Sequence, residues 1–458
     1  MKPVLVRGGR VIDPSSGRDG FYDLLITEGR LAAIESPGLI SNDLATAVDA
    51  SGCWIVPGLV DAHVHLRDPG FPQKETIATG LRAAAAGGFT TVAAMANTLP
   101  VNDSPEVTRY ILLRAREVNA ARLIAVAAVT KGLRGEELAD FEALAAAGCR
   151  LFSDDGMPID NPGVLSRALI EVSRLGFAIS LHEEDRRVAP GWSVNRGTVS
   201  DVLGVVGIPN SAESSRIARD LEIARKTSGA VHFAHVSARE SLDLIRRARH
   251  DCVSLTAEAT PHHFTYCESA VLRSGPDAKM NPPLRTDRDI EAVKEALRDG
   301  TIDVVATDHA PHDPASKKIG ELAHSFLHGR FSLNSDHDRA VFHDCANGIV
   351  GLETALALLL DLVGRDIISP GRMVELMSSN PARLLRLDQG EGTLTPLARA
   401  DLTVIDPNLE WTVDPTKFHS KSRNTPFTGM KLKGRARITI VAGQIVYDGR
   451  LTEKSDER

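Results

Sequence analysis

The stretch GLVDAHVHL, residues 58–66, is a short apolar run that ends on two histidines one residue apart. Alternation along an extended chain puts His63 and His65 on the same side. A helical pattern follows, ETIATGLRAAAAG (75–87), and then a second apolar run, FTTVAAMAN (89–97). The unit recurs at RLIAVAAVT (122–130), CRLFSDDG (149–156), FAISLHEED (177–185), VHFAHVS (231–237), VSLTAEATPHH (253–263) and DVVATDHAPH (303–312). Helical spacing fills the intervals, as in ELADFEALAAAG (137–148), SSRIARDLEIARKTSG (214–229) and DIEAVKEALRDG (289–300). Eight strands alternating with helices predict an α/β fold, a TIM (β/α)8 barrel, over residues 57–388. A doubly wound open sheet would carry a glycine-rich dinucleotide turn after its first strand, and this chain has none there.

The ends of the chain have a different texture. PVLVRGGRVIDP, DLLITEGRLAAIE and GCWIVPG read as short strands with glycine turns, and ADLTVIDP and RITIVAGQIVYDGR repeat that texture at the other end. Residues 1–56 and 389–458 are therefore expected to assemble one small β-sandwich domain, with the barrel inserted between its halves.

Composition narrows the function classes. At 458 residues, with 43% hydrophobic and 25% charged residues, the chain is an ordinary large globular protein. A net charge of −7 gives no electrostatic reason to expect nucleic acid or an anionic membrane, and leaves a small-molecule substrate. The five cysteines, Cys53, Cys149, Cys252, Cys267 and Cys345, are scattered and lack CxxC spacing. That argues for a reducing compartment and against thiolate zinc sites. With neither a secretory leader nor a long apolar stretch in the sequence, a cytoplasmic location is expected.

Nearly every expected strand ends on a polar side chain able to bind a metal or an anion: His63 and His65, Asn97, Asp155, His182, His235, His262 and His263, Asp308 and His312. A TIM barrel gathers its C-terminal strand ends onto one face, so these residues should converge. Nitrogen and oxygen donors without thiolates suit zinc or a similar divalent ion. His63, His65, Asp155 and Asp308 can hold one ion, and Asp155, His182 and His235 a second, with Asp155 and a hydroxide bridging them. Asp308 is also placed to act as general acid and base. Arg67, two residues beyond His65 and on the same side if the chain stays extended, can grip a carboxylate; Asn97, Asn281 and His312 can anchor an acid and an amide. Asp154 should face away from Asp155, and His309 away from Asp308. Glu183, Glu184 and Asp185 read as a solvated loop or as supports behind the ligands, and His262 and His263 as supports or core.

Together, HVHLRDPG, KETIATGLRAAAAGGFTTVAAMANT, FSDDG, HFAHVS, KMNPPLR, TDHAPH and GIVGLET resemble the bacterial class I dihydroorotases of the amidohydrolase superfamily. The resemblance covers most of the chain, including the two-ended β domain. It implies a binuclear zinc enzyme interconverting N-carbamoyl-L-aspartate and L-dihydroorotate in pyrimidine synthesis. It carries metal ligation onto His63, His65, Asp155, His182, His235 and Asp308, with Asp308 also the catalytic acid and base. Substrate contacts fall on His65, Arg67, Asn97, Asn281 and His312, and at a later turn on Asn347 and Gly348. It is compatible with a homo-oligomer and with a complex with aspartate transcarbamoylase. Dihydropyrimidinases, hydantoinases and allantoinases are similar but usually bridge their metals with a carboxylated lysine, and CRLFSDDG has no lysine. A hydrolase of hydantoin or allantoin, and a silent homologue that scaffolds aspartate transcarbamoylase, are the competing readings.

The chain departs from the family in two places. Roughly 20 extra residues follow His312, including IGELAHSFLHGRFSLNSDHD, and the spacing of His324, His328 and His337 suits a surface insertion better than a chelate. The family's usual Pro-Phe-Gly before GIVGLET reads Ala346-Asn347-Gly348 here.

Overall fold

The computed structural model describes residues 2–41, 44–188, 192–251 and 253–450; Cys252 and the last eight residues of the C-terminal β segment lie outside the described residues. All eight apolar runs of the middle region contain strands: Leu59–Val64, Phe89–Ala94, Arg122–Ala127, Leu151–Ser153, Ile179–Leu181, Val231–Phe233, Leu255–Ala259 and Val304–Val305. They pair in chain order, each parallel to the next. Val64 of the first strand bridges to His309, just past the eighth, and the His65 amide donates to the His309 carbonyl at 2.8 Å. The sheet therefore closes into the expected barrel.

The first crossover helix, Ile77–Ala86, shows why the sequence folds this way. Thr76 caps its N-terminus and Thr79 returns the bond, which satisfies amides that have no partner inside the helix. Leu81 and the run Ala83–Ala86 are buried. The alanines allow close backbone approach, and Leu81 contributes about 1.5–3 kcal/mol by leaving water. At the opposite end of the barrel from the strand-end residues, Val60, Ala93, Val126 and Leu151 pack against Ala382 and Leu385, and Ser378 Oγ donates to the Gly58 carbonyl at 2.8 Å. That end is a packed core, which leaves the other end for chemistry.

Both termini contribute to one eight-stranded sheet. Val4–Asp13, Arg18–Thr27, Arg30–Glu35, Thr46–Asp49 and Trp54–Pro57 come from the N-terminal side, and Leu402–Thr412, Lys431–Val441 and Gln444–Asp448 from the C-terminal side. They meet where Trp54–Pro57 pairs antiparallel with Leu402–Ile405. Its apolar cluster also draws on both ends, with Val6, Val11, Leu24 and Ile55 against Leu402, Val404 and Ile438. The segment after His312 carries a small hairpin, Phe326–Leu327 with Arg330–Phe331, and the helix Asp336–Asp344. Phe331 and Phe342 are fully buried there, so the segment has its own apolar anchor.

Candidate metal centre and active site

His63 and His65 leave the first strand into one pocket, their ring centroids 5.2 Å apart. His63 Nδ1–H donates to Glu258 Oε1 at 2.6 Å, which turns its Nε2 into the pocket. That buried Nε2 has no hydrogen-bond partner and points between Asp155 Oδ1 at 3.5 Å and Asp308 Oδ1 at 3.6 Å. His65 is set the same way. Its Nδ1 pairs with Asn97 Oδ1 at 2.9 Å, and its Nε2 faces Asp308 at 3.1 Å and Asp155 at 3.5 Å. On the other side of Asp155, His182 Nδ1 and His235 Nε2 each lie 3.5 Å from Oδ1 and 2.9 Å from one another.

Donor atoms of His63, His65 and Asp155 thus gather within 4.8 Å, and so do those of Asp155, His182 and His235, with every member buried. Asp155 is common to both groups. Buried polar atoms are ordinarily paired, and here His63 Nε2 and Asp155 Oδ1 are not. Orphaned imidazole and carboxylate atoms aimed at one point fit a divalent cation, and the all-nitrogen-and-oxygen donor set fits zinc or a close relative.

The electrostatics agree with the geometry. Burial would push the Asp155 carboxyl up, but His63 and the neighbouring His182 and His235 hold it well below the usual range. Against the same penalty, His65 and His63 hold Asp308 low. Burial pulls His182 down, yet Asp155 and Glu184 raise it to about 9. Imidazoles and carboxylates so interleaved exchange protons for a metal when one binds. Three residues of the site adopt left-handed backbone, Arg67 (φ 60°), His235 (φ 34°) and Asp308 (φ 46°), a strain that side-chain-bearing residues keep where the surroundings impose it.

The pocket encloses about 240 Å³ and is lined by His65, Arg67, Asn97, Asp155, His182 and His235, then Asn281, Asp308, His312, Asn347 and Gly348. That is room for one small ring. A larger groove of about 850 Å³, beside Trp54, Leu360, Trp411 and Leu432, brings no histidine to its walls. At the mouth, Arg67 Nε donates to the Pro311 carbonyl at 3.3 Å, and its Nη2 lies 3.2 Å from His312 Nε2. His312 Nε2 donates to the Asn347 carbonyl at 2.9 Å, while His312 Nδ1 and Asn347 Oδ1 are buried without partners. Gly348 has φ 118°, and a Cβ there would lie 2.5 Å from that of Ala310, so only glycine lets this turn approach the pocket wall.

Every residue expected from the sequence as a ligand or substrate contact therefore lines this pocket or, as with His63, sits at its floor. Asp154 points away and accepts from the Val129 and Thr130 amides, and His309 turns to Glu75. His262 and His263 share Thr260 Oγ1 and are buried supports. One expectation changes, and one open alternative is decided. The chain does not stay extended at Arg67; it bends there, and the bend rather than strand alternation aims the guanidinium. Glu183 and Glu184 are not solvated, each being 4% exposed, and Glu184 Oε2 accepts from Asn281 Nδ2 at 3.2 Å.

Glu258 and Asn424 were missed. Glu258 accepts from His63, from His232 Nε2 at 3.0 Å and from the His235 amide at 3.2 Å, so one buried carboxylate orients two strands' ligands. Its sequence signal was an acid inside the apolar run LTAEA. Asn424, from the segment before the last strands, accepts from the His312 amide and donates to the Ala310 and Gly348 carbonyls; nothing in its neighbourhood marked it.

Known proteins resemble this chain in sequence and in fold. Residues 52–241 match the family described as Dihydro-orotase-like, and residues 286–447 the Amidohydrolase family. Over 97% of its length the chain is 45% identical to the dihydroorotase of Syntrophus aciditrophicus and 44% identical to that of Geobacter metallireducens, covering 99% of each. Among solved structures, the L-hydantoinase of Arthrobacter aurescens superposes with a TM-score of 0.83 at 24% identity, over 98% of this chain and 96% of that one. The dihydropyrimidinase of Brevibacillus agri does so at 0.79 and 20%, over 97% and 95%. At that identity the likeness speaks for the fold.

Proposed function

The chain belongs to the dihydroorotase family, and from that premise we propose that it interconverts N-carbamoyl-L-aspartate and L-dihydroorotate, as a class I member serving pyrimidine synthesis. The observation that carries this reading is Asp155, a carboxylate shared between two buried donor groups where hydantoinase-like enzymes usually place a carboxylated lysine. His63, His65, Asp155, His182, His235 and Asp308 would hold two zinc ions. Zinc there would supply Lewis acidity and lower the pKa of water towards neutrality.

The protein's own groups do the rest. Arg67, Asn97 and His312 hold the free carboxylate at the mouth, and Asn281 with the Asn347–Gly348 turn meets the ring amide. In hydrolysis Asp308 takes a proton from the water that adds to the ring carbonyl and delivers it to the departing ring nitrogen. Cyclisation runs these transfers backwards. Among the described residues no helix is long and apolar enough to cross a membrane. The reading places the enzyme in the cytoplasm as a homo-oligomer and names aspartate transcarbamoylase as the partner to test by co-purification.

The decisive experiment couples metal analysis with turnover. Wild type should carry about two divalent ions per chain and turn over dihydroorotate and N-carbamoyl-L-aspartate in preference to a hydantoin panel. Asp308→Ala should lose activity by on the order of a hundredfold or more. Turnover of hydantoins alone would overturn the substrate, and a metal-free, inactive wild type that still binds transcarbamoylase would overturn the chemistry.

A further inference from the structure

Two lysines lie buried behind the pocket mouth, outside the groups already given a role. Lys317 is fully buried and Lys279 is 2% exposed. The Lys317 ammonium donates to three main-chain carbonyls, Pro276 at 2.7 Å, Lys279 at 3.1 Å and Ala346 at 3.0 Å. Lys279 Nζ donates to the carbonyls of His343 at 2.6 Å and Cys345 at 2.7 Å. An ammonium has three donors, so Lys317 spends all of them on main chain. Apart from that of His343, the carbonyls belong to two segments distant in sequence, which bring Asn281 and the Asn347–Gly348 turn to the pocket wall. One runs from Pro276 to Asn281. The other, Cys345–Gly348, closes the segment after His312.

The two segments also touch directly, since the Gly348 amide donates to the Lys279 carbonyl at 3.0 Å, and the Ala346 amide ties the second of them to the Ser316 carbonyl, beside Lys317, at 2.9 Å. Lys279 O thus receives both Lys317 and Gly348. Burying an ammonium is costly, and a methionine of similar shape would avoid that cost. What the amine nitrogen adds is a fixed distance between three carbonyls.

We propose that Lys317 is a positioning residue for substrate: its Nζ holds the 276–281 and 345–348 segments in register, so that Asn281, Asn347 and His312 meet the ligand together. This rests on the substrate contacts proposed above. Lys279 ties the same turn to the end of the Asp336–Asp344 helix, which gives the segment after His312 a purpose at the pocket.

The test compares wild type with Lys317→Met and Lys317→Gln, using L-dihydroorotate as substrate and hydrogen exchange at the Ala346 and Gly348 amides as a readout that needs no turnover. Expected for Lys317→Met are a KM raised roughly tenfold with kcat within about twofold, unchanged metal content, and faster exchange at those amides. Lys317→Gln, with two donors, should fall between. Unchanged KM with unchanged exchange overturns the proposal, as does a fall in kcat alone. If both variants fail to fold, the ammonium supports the fold rather than the mouth, and the proposal is wrong. An inactive wild type whose variants still show faster exchange would sink the proposed function and leave the loop register standing; with exchange also unchanged, both fall.

Discussion

At the floor of the pocket, side chains hold side chains: Glu258 grips His63 and His232, Asn97 pairs with His65, and Asp155 lies among four imidazoles. At the mouth, side chains hold main chain: Asn424 spans His312, Ala310 and Gly348, and Lys317 and Lys279 grip five carbonyls between them. The floor stands on strand ends whose backbone is already fixed by the barrel, so only rotamer and tautomer remain to be set. The mouth is made of turns, whose backbone must itself be fixed. Damage to the floor should therefore appear as lost metal, and damage to the mouth as lost affinity for substrate.

The largest effect that sharpens this contrast is expected from Glu258→Gln. The amide keeps the shape but not the charge that holds Nδ1–H, so metal affinity should fall by about 10–100-fold, measured by competition with a chelator. Full metal retention with a raised KM would break the distinction between floor and mouth.

Asn424→Ala is the counterpart. It strips partners from one buried amide and two buried carbonyls, at about 1–3 kcal/mol for a group left unsatisfied. We expect a several-fold rise in KM and a lower denaturation midpoint, with metal content unchanged. Loss of metal in this variant would show that the two regions are not separable.

The smallest effect concerns pH. Burial pushes Lys317 down to about 7 and Lys279 to about 8, against about 10.4 for an unfolded lysine. Asp277 and Cys345 face Lys317 and oppose the shift, and Lys279 adds to it. Between about 7 and about 10 the unfolded chain keeps protons that the native state releases, so these groups' contribution to stability is present above about 10 and lost as pH falls through about 7. The denaturant midpoint of wild type should therefore gain on that of Lys279→Met/Lys317→Met as pH rises from 7 to 9.5. A constant difference would mean that the lysines do not titrate in this window.

Much of the floor was legible because period and position suffice there. His63 and His65 share a face by strand alternation, and Asp155, His182, His235 and Asp308 converge because a barrel brings strand ends to one rim. Glu258 obeys no such rule; a lone acid within LTAEA gains meaning only from His63, 195 positions away. The burial of Glu183 and Glu184 was hidden for the same reason, since nothing local tells a solvated acidic run from one packed beneath neighbours. Arg67 was read on the right side for the wrong reason, because a left-handed bend stands where extension was assumed.

By itself, the sequence determined the barrel, the two-ended β sheet and the six clustered donors, since each follows from a repeating period or from residue type at a strand end. Only the tertiary structure decided which carboxylate orients His63, which turn approaches the ligand, and that two buried lysines hold that turn. Those contacts join segments tens to hundreds of residues apart, and chain closure over such distances leaves no local pattern. It shows only where the folded backbone has brought a donor to an acceptor.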